Sequence, residues 1–237
     1  MGGWGFVLYP DAAEGGGSFR SAAAASLDGT SSDPPIDSRD DAARRARGKV
    51  RRYCAANRLN RLGTLTYRGA GCHDPAILRE HVGGFFRRLR GQLGEPFPYL
   101  WVPEWHKTGH GLHVHFAVGR YVGIRIIEAA WGHGFVHIKL LGNLPVGSGT
   151  LGEARLAARY LSKYLAKDLG TGGQPAGLHR YEVGEGFQPR RIALDGASAD
   201  QVLGWATTVM DRPAEHVWRS RDEPDWLGPP AVWASWA

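Results

Sequence analysis

The tetrad Tyr-x-x-Lys occurs twice in tandem, as Tyr160 to Lys163 and Tyr164 to Lys167, and downstream of His113-Val114-His115. On a helix, Tyr160 and Tyr164 differ by about 40° around the axis and about 6 Å along it. Lys163 and Lys167 fall beside them, so two phenols and two ammonium groups share one stripe. Ala158, Leu161 and Leu165 point away from that stripe and suit docking against a sheet. Oxygen nucleophiles flanked by cations are equipment for attack on a phosphodiester.

The histidines supply the second half of that chemistry. His113 and His115 alternate on a predicted strand, so both rings leave one face, roughly 6–7 Å apart along the strand. Across a predicted hairpin, Glu104 is placed to add a carboxylate oxygen. His106 and His110, in the connecting loop, are rivals for that third position. Two imidazoles and a carboxylate with the remaining positions open suit Mg²⁺ or Mn²⁺ better than a closed structural Zn²⁺.

Composition bounds the partner. The net charge is +6 over 237 residues, carried by 24 Arg and only 5 Lys, which favours an anionic partner such as nucleic acid. Cys54 and Cys72 have no metal-type spacing and read as reduced thiols. No apolar run reaches the roughly 18 residues needed to span a membrane, and no signal-peptide pattern is visible, so a cytoplasmic location is expected.

The elements that must position these residues follow from periodicity. Residues 1–40, rich in Gly, Ala and Ser, read as a disordered or low-complexity tail. A basic stretch from 41 to 61 has roughly helical apolar spacing. It offers Arg51, Arg52, Arg58 and Arg61, with Tyr53 and Tyr67, as grips on DNA backbone and bases. Asn57 either reads a base or ends that helix. Leu62 to Tyr67 alternates as a strand, and Asp74-Pro75 caps a helix running to about Gln92. Strands follow at 98–105 and 112–118, then a short helix at 121–131, a strand at 135–141, and the tyrosine helix at 153–169. The order β-α-β-β-α-β-α predicts an α+β fold, a ferredoxin-like split βαβ with helices on one face of an antiparallel sheet. A strand pair within 181–194 and a helix at 199–210, capped by Ser198 or Asp195, close the pattern. The expected domains are the tail, a catalytic domain at 41–195, and a C-terminal helix with a Trp-rich tail at 196–237.

These residues resemble the HUH endonucleases, specifically rolling-circle replication initiators in the two-tyrosine form. Thr64 to Tyr67 resembles the first motif, Leu112 to Phe116 the second, and Tyr160 to Lys167 the third, in the family's order. Trp131 to His137 and Arg180 to Val183 look like initiators of actinobacterial plasmids and integrative elements. The resemblance implies metal-dependent, site-specific nicking and joining of single-stranded or hairpin origin DNA through a 5′-phosphotyrosine link. Either tyrosine is open as the first nucleophile. The chain has no phosphate loop of the form G-x-x-x-x-G-K-[ST], so the resemblance implies a host helicase and polymerase as partners. An HUH transposase and a catalytically silent origin-binding module are the alternatives.

Overall fold

The computed structural model describes residues 2–21, 38–139, 141, 149–167 and 179–236, with backbone only at 38–41, 166 and 167. In chain order the elements are β1 (Gly3–Tyr9), β2 (Glu14–Arg20), α1 (Ser38–Ala56), β3 (Arg61–Tyr67), α2 (Pro75–Leu93), β4 (Tyr99–Trp105), β5 (Leu112–Val118), α3 (Ile124–Trp131), β6 (Gly134–Lys139), α4 (Gly149–Lys167), β7 (Glu182–Val183), β8 (Ile192–Gly196), α5 (Ala199–Met210), β9 (His216–Arg219) and β10 (Ala231–Ser235). They divide into two compact units, one spanning Arg39–Gln188 and the other joining Met1–Ser38 to Pro189–Ala237. The fold is α+β, with two antiparallel sheets.

In the Arg39–Gln188 unit, local signals act where the sequence places them. The Asp74 carboxylate accepts from the Ala76 amide at 2.7 Å, Pro75 opens α2, and Gly94 closes it in the left-handed region at φ 76°. Gly132 ends α3 in the same way. The sheet order is β6-β3-β5-β4-β7, with each strand antiparallel to its neighbours.

Alternation along β5 sorts its residues between two cores. Leu112, Val114, Phe116 and Val118 pack with Leu78, Val82, Phe85 and Phe86 of α2 and with Ile127 and Trp131 of α3. Ala117 joins Leu100, Val102 and Leu62 against Val50 and Cys54 of α1 and Ala157, Leu161 and Leu165 of α4. Helices therefore cover both faces, which corrects the one-faced expectation. The reason is that β3, β4 and β5 each carry apolar residues on both sides, and each side must be covered.

Trp131 is fully buried, and its indole N–H donates to the Thr66 carbonyl at 2.9 Å. Trp131→Ala will destabilise the protein by about 3–5 kcal/mol. That corresponds to a melting temperature lower by roughly 10 °C, measurable by circular dichroism.

On the same side of the sheet, His81 and His133 stack at 3.7 Å between ring centroids, and the Tyr67 hydroxyl bonds His81 Nδ1 at 3.1 Å. Burial, then His81, Arg88 and Arg68, hold His133 below the ordinary histidine range. The unfolded chain therefore takes up this proton first. The stabilisation is intact above pH about 6.5 and is lost as the pH falls through the folded-state value. Urea midpoints will drop between pH 7.5 and 5.5, and His133→Gln will flatten that drop.

The second unit corrects two domain expectations. Residues 3–20, read as part of a disordered tail, form β1 and β2 at the middle of a sheet ordered β8-β1-β2-β10-β9. The glycines of β2 serve close packing. A Cβ at Gly15 would come within 2.4 Å of the Phe6 ring, and one at Gly17 within 2.1 Å of the Gly5 carbonyl. Of the rest of that expected tail, residues 22–37 lie outside the described residues, and residues 38–40 open α1.

The Trp-rich C-terminus is likewise built into this sheet and its core. Trp233 lies in β10, and Trp236 is fully buried with its indole N–H donating to the Arg212 carbonyl at 3.1 Å. The strand pair expected within 181–194 is divided: β7 pairs with β4, and β8 pairs with β1. Ser198, rather than Asp195, caps α5 through its hydroxyl to the Gln201 amide. Among the described residues, no helix is long and apolar enough to cross a membrane.

Candidate active site

The β4–β5 hairpin brings the charged and imidazole side chains together. Its register places Glu104 directly opposite His113, and Thr64 of β3 opposite His115 on the other side. Glu104 Oε2 lies 3.0 Å from His113 Nε2 and 2.8 Å from His115 Nε2, and the two nitrogens are 3.1 Å apart. Both histidines are buried and Glu104 is half-buried. The Thr64 hydroxyl bonds His115 Nδ1 at 3.0 Å, which fixes that ring's rotation. His113 Nδ1 is buried without a partner among the described residues.

These three atoms form a near-equilateral triangle of two imidazole nitrogens and one carboxylate oxygen. Donors about 3 Å apart are what neighbouring ligands of an octahedral divalent cation require, given metal–ligand distances of about 2.0–2.1 Å for Mg²⁺. The donor set therefore fits a metal. It is the sole group of three metal-ligating side chains among the described residues. His106 and His110, the rivals for the third place, stay outside the triad, although the His106 ring stands edge-on to His113 at 5.4 Å between centroids. His106 Nδ1 bonds the Thr108 hydroxyl, and His110 Nε2 bonds the Tyr67 carbonyl.

Helix α4 presents its tyrosines to this triad. The Tyr164 ring stacks on His115 at 3.7 Å and 14°, and the Tyr160 ring stands edge-on to His115 at 6.3 Å. The Tyr164 hydroxyl donates to the Tyr160 oxygen at 2.7 Å, so the phenols act as a linked pair. Burial raises the Tyr164 pKa well above the usual tyrosine value. The hydrogen bond to Tyr160, the charge on Tyr160 and the charge on Glu104 raise it further. Without a compensating cation Tyr164 stays protonated.

The cations are distributed differently from the expected stripe. Lys163 Nζ lies 5.8 Å from the centre of the Tyr160 ring and is exposed at the helix surface. Lys139, at the end of β6, is closer at 4.8 Å. No sequence periodicity ties Lys139 to Tyr160; only the pairing of Leu62 with Lys139 in the sheet carries it there. The side chain of Lys167 lies outside the described residues.

Several DNA-facing candidates change role. Tyr67 is buried in the core against α2 and α3, and Tyr53 is buried with its hydroxyl on the Gly184 carbonyl. Neither ring is available for base stacking. The Asn57 side chain donates to the Tyr53 and Phe187 carbonyls at 3.0 Å each, so it ends α1. The Arg58 guanidinium donates to the Ala55 carbonyl at the same helix end. Arg52 lies near Tyr181, whose pKa it opposes raising. Arg51 is half-buried and lines a groove between α1 and α4 together with Arg44, Arg47, Arg155 and Arg159. Arg61 is exposed, with its guanidinium 5.5 Å from the Tyr121 ring centre.

No curated protein and no solved structure matches this chain. Residues 60–169, from the turn before β3 to the end of α4, match the family model of the replication-associated protein ORF2/G2P. That span, a little under half of the chain, contains Thr64, Glu104, His113, His115, Lys139, Tyr160 and Tyr164, so the portion similar to replication-associated proteins is the one that builds this site.

Proposed function

We propose that this protein initiates rolling-circle replication by nicking and rejoining one DNA strand through tyrosine. The observation that carries this reading is the stacking of Tyr164 on His115, with its hydroxyl bonded to Tyr160. It places both phenols at the Glu104–His113–His115 group. The strand order β6-β3-β5-β4 supports a ferredoxin-like split βαβ core of HUH type.

Glu104, His113 and His115 would hold Mg²⁺ or Mn²⁺, and that cation would polarise the scissile phosphate and offset phenolate charge. The protein's own groups do the rest. One tyrosine oxygen bonds to phosphorus as its proton leaves for solvent. The bond from phosphorus to the 3′ oxygen breaks, and that oxygen takes up a proton to become a priming hydroxyl. The 5′-phosphotyrosine retains a phosphodiester, so rejoining needs no nucleotide cofactor. The second tyrosine attacks after a round of synthesis, and the i, i+4 spacing lets both phenols use one site. Lys139 and Lys163, flanking Tyr160, stabilise negative charge at the phosphate. The arginine groove between α1 and α4 binds DNA backbone. Unwinding and synthesis fall to a host helicase and polymerase in the cytoplasm.

The test uses purified protein, Mn²⁺ and a single-stranded hairpin oligonucleotide from its own replicon. An SDS-stable adduct will form, and mass spectrometry will map it to Tyr160 or Tyr164. Adducts on any other residue, or none with a verified origin, would sink the proposal. Lys139→Ala will slow single-turnover nicking by about tenfold or more, at unchanged Mn²⁺ affinity.

A further inference from the structure

A cavity of about 260 Å³ opens at the end of the sheet where β3 begins and β5 and β6 finish. It is smaller than the roughly 300–1,000 Å³ typical of sites for drug-sized ligands, a size that suits one planar base. Leu62, Phe116, Val118, Ile127 and Ile138 give it apolar walls. Its rim carries Tyr121, a large aromatic that is 74% exposed, with Arg61 over the ring. Exposed aromatics paired with a guanidinium are stacking platforms for bases.

Asn60, also in the lining, carries an unmet demand. Its amide nitrogen donates to Glu153 at 2.6 Å, which orients the side chain, while Oδ1 is buried with no partner among the described residues. A buried acceptor without a partner is costly, and an N–H on a base edge would satisfy it once a turn of the amide exposes Oδ1 to the cavity. Lys139 links the cavity to the reacting groups, since it lines the cavity and its ammonium sits over the Tyr160 ring. Along β3, the Leu62 row of the cavity is two residues from the Thr64–His115 row, about 7 Å.

We infer that this cavity receives one unpaired nucleobase of the DNA strand beside the phosphate to be cut. In this arrangement Tyr121 and Arg61 stack on the base, Asn60 Oδ1 accepts from its amino or imino group, and Lys139 meets the adjoining phosphate. The assignment rests on the tyrosine-nicking reading for the identity of the strand. Its observations concern the cavity alone. The site adds specificity: the enzyme reads an unpaired base at the nick, beyond gripping backbone.

The test measures binding of fluorescein-labelled oligo(dC) 12-mers by anisotropy in EDTA, where no cutting intervenes. An abasic 12-mer with the same phosphates serves as reference. Wild-type protein will bind oligo(dC) about tenfold more tightly than the abasic strand. Tyr121→Ala, and Ile138→Trp to fill the cavity, will reduce oligo(dC) to the abasic affinity and leave abasic binding unchanged. A 12-mer of N4,N4-dimethylcytosine, which lacks the donor, will lose part of the preference in wild type. Melting curves verify that Ile138→Trp folds, and Tyr121 is too exposed for its loss to unfold the chain. Equal affinity of wild type for the two strands, or a preference that survives in both variants, overturns the assignment. Free dCMP competing as well as oligo(dC) overturns it too, in favour of a soluble nucleotide. Because the readout is binding without cleavage, a failure to form adducts and a failure of base preference are separate results.

Discussion

Phenylalanine at both Tyr160 and Tyr164 will reduce the SDS-stable protein–DNA adduct to background, a loss of roughly a thousandfold or more in nicking rate. Both substitutions keep rings of the same shape, so the stack on His115 persists and the fold is retained. The single variants separate the two phenols. In Tyr160→Phe, Tyr164 loses its hydrogen-bond acceptor and the neighbouring charge, two of the causes that hold its pKa up. Burial and Glu104 remain, so the pKa falls only part of the way towards the ordinary tyrosine value. Nicking by Tyr164 in that variant will therefore rise with pH at lower pH values than nicking assigned to Tyr164 in the wild type. Rate–pH profiles of the two single variants, with adduct mapping at each pH, check this. Undiminished adducts in the double variant would remove both residues as nucleophiles.

The second large effect concerns the triad. Replacing His113 and His115 with Ala together will weaken Mn²⁺ binding by at least about a hundredfold and bring nicking to background, while oligonucleotide affinity stays within a few-fold. Titration followed by the Mn²⁺ electron paramagnetic resonance signal reports the first quantity, and anisotropy reports the last. The physical ground is the convergence of two imidazole nitrogens and one carboxylate oxygen within 3.1 Å. Removing two of three donors leaves a lone carboxylate, a poor site in water. Thr64→Val provides a finer probe. It keeps all three donors and deletes only the hydroxyl on His115 Nδ1. Loss of such an orienting contact costs about 10–100-fold in metal affinity or activity. Full nicking by the double alanine variant would mean that the triad has no part in the chemistry.

Much of the site was legible from short-range geometry. A strand repeats every two residues, so His113 and His115 had to share a face. A helix repeats every 3.6, so Tyr160 and Tyr164 had to share a stripe. The Asp74-Pro75 cap, the glycine at position 132 and the alternation in Leu62 to Tyr67 gave β3, α2 and α3 close to their observed bounds. The basic arginines of α1 were visible too, but not which of them face a groove and which end the helix.

Other features depended on contacts between distant segments. Strand register chose Glu104 over His106 and His110, because only residue 104 lies opposite His113 in the ladder. The β3–β6 pairing delivered Lys139 to Tyr160, from a position with no periodic tie to α4. Packing showed that the glycines of residues 15–17 belong to a strand, where composition alone suggested an unstructured tail. It also buried Tyr67 and Tyr53, whose sequence setting looked suitable for stacking on DNA. The division has one cause. Backbone periodicity fixes, from a few neighbouring residues, which side chains point the same way. Which surfaces then meet is decided by burial and hydrogen bonding summed over the whole unit, and the folded chain alone performs that sum.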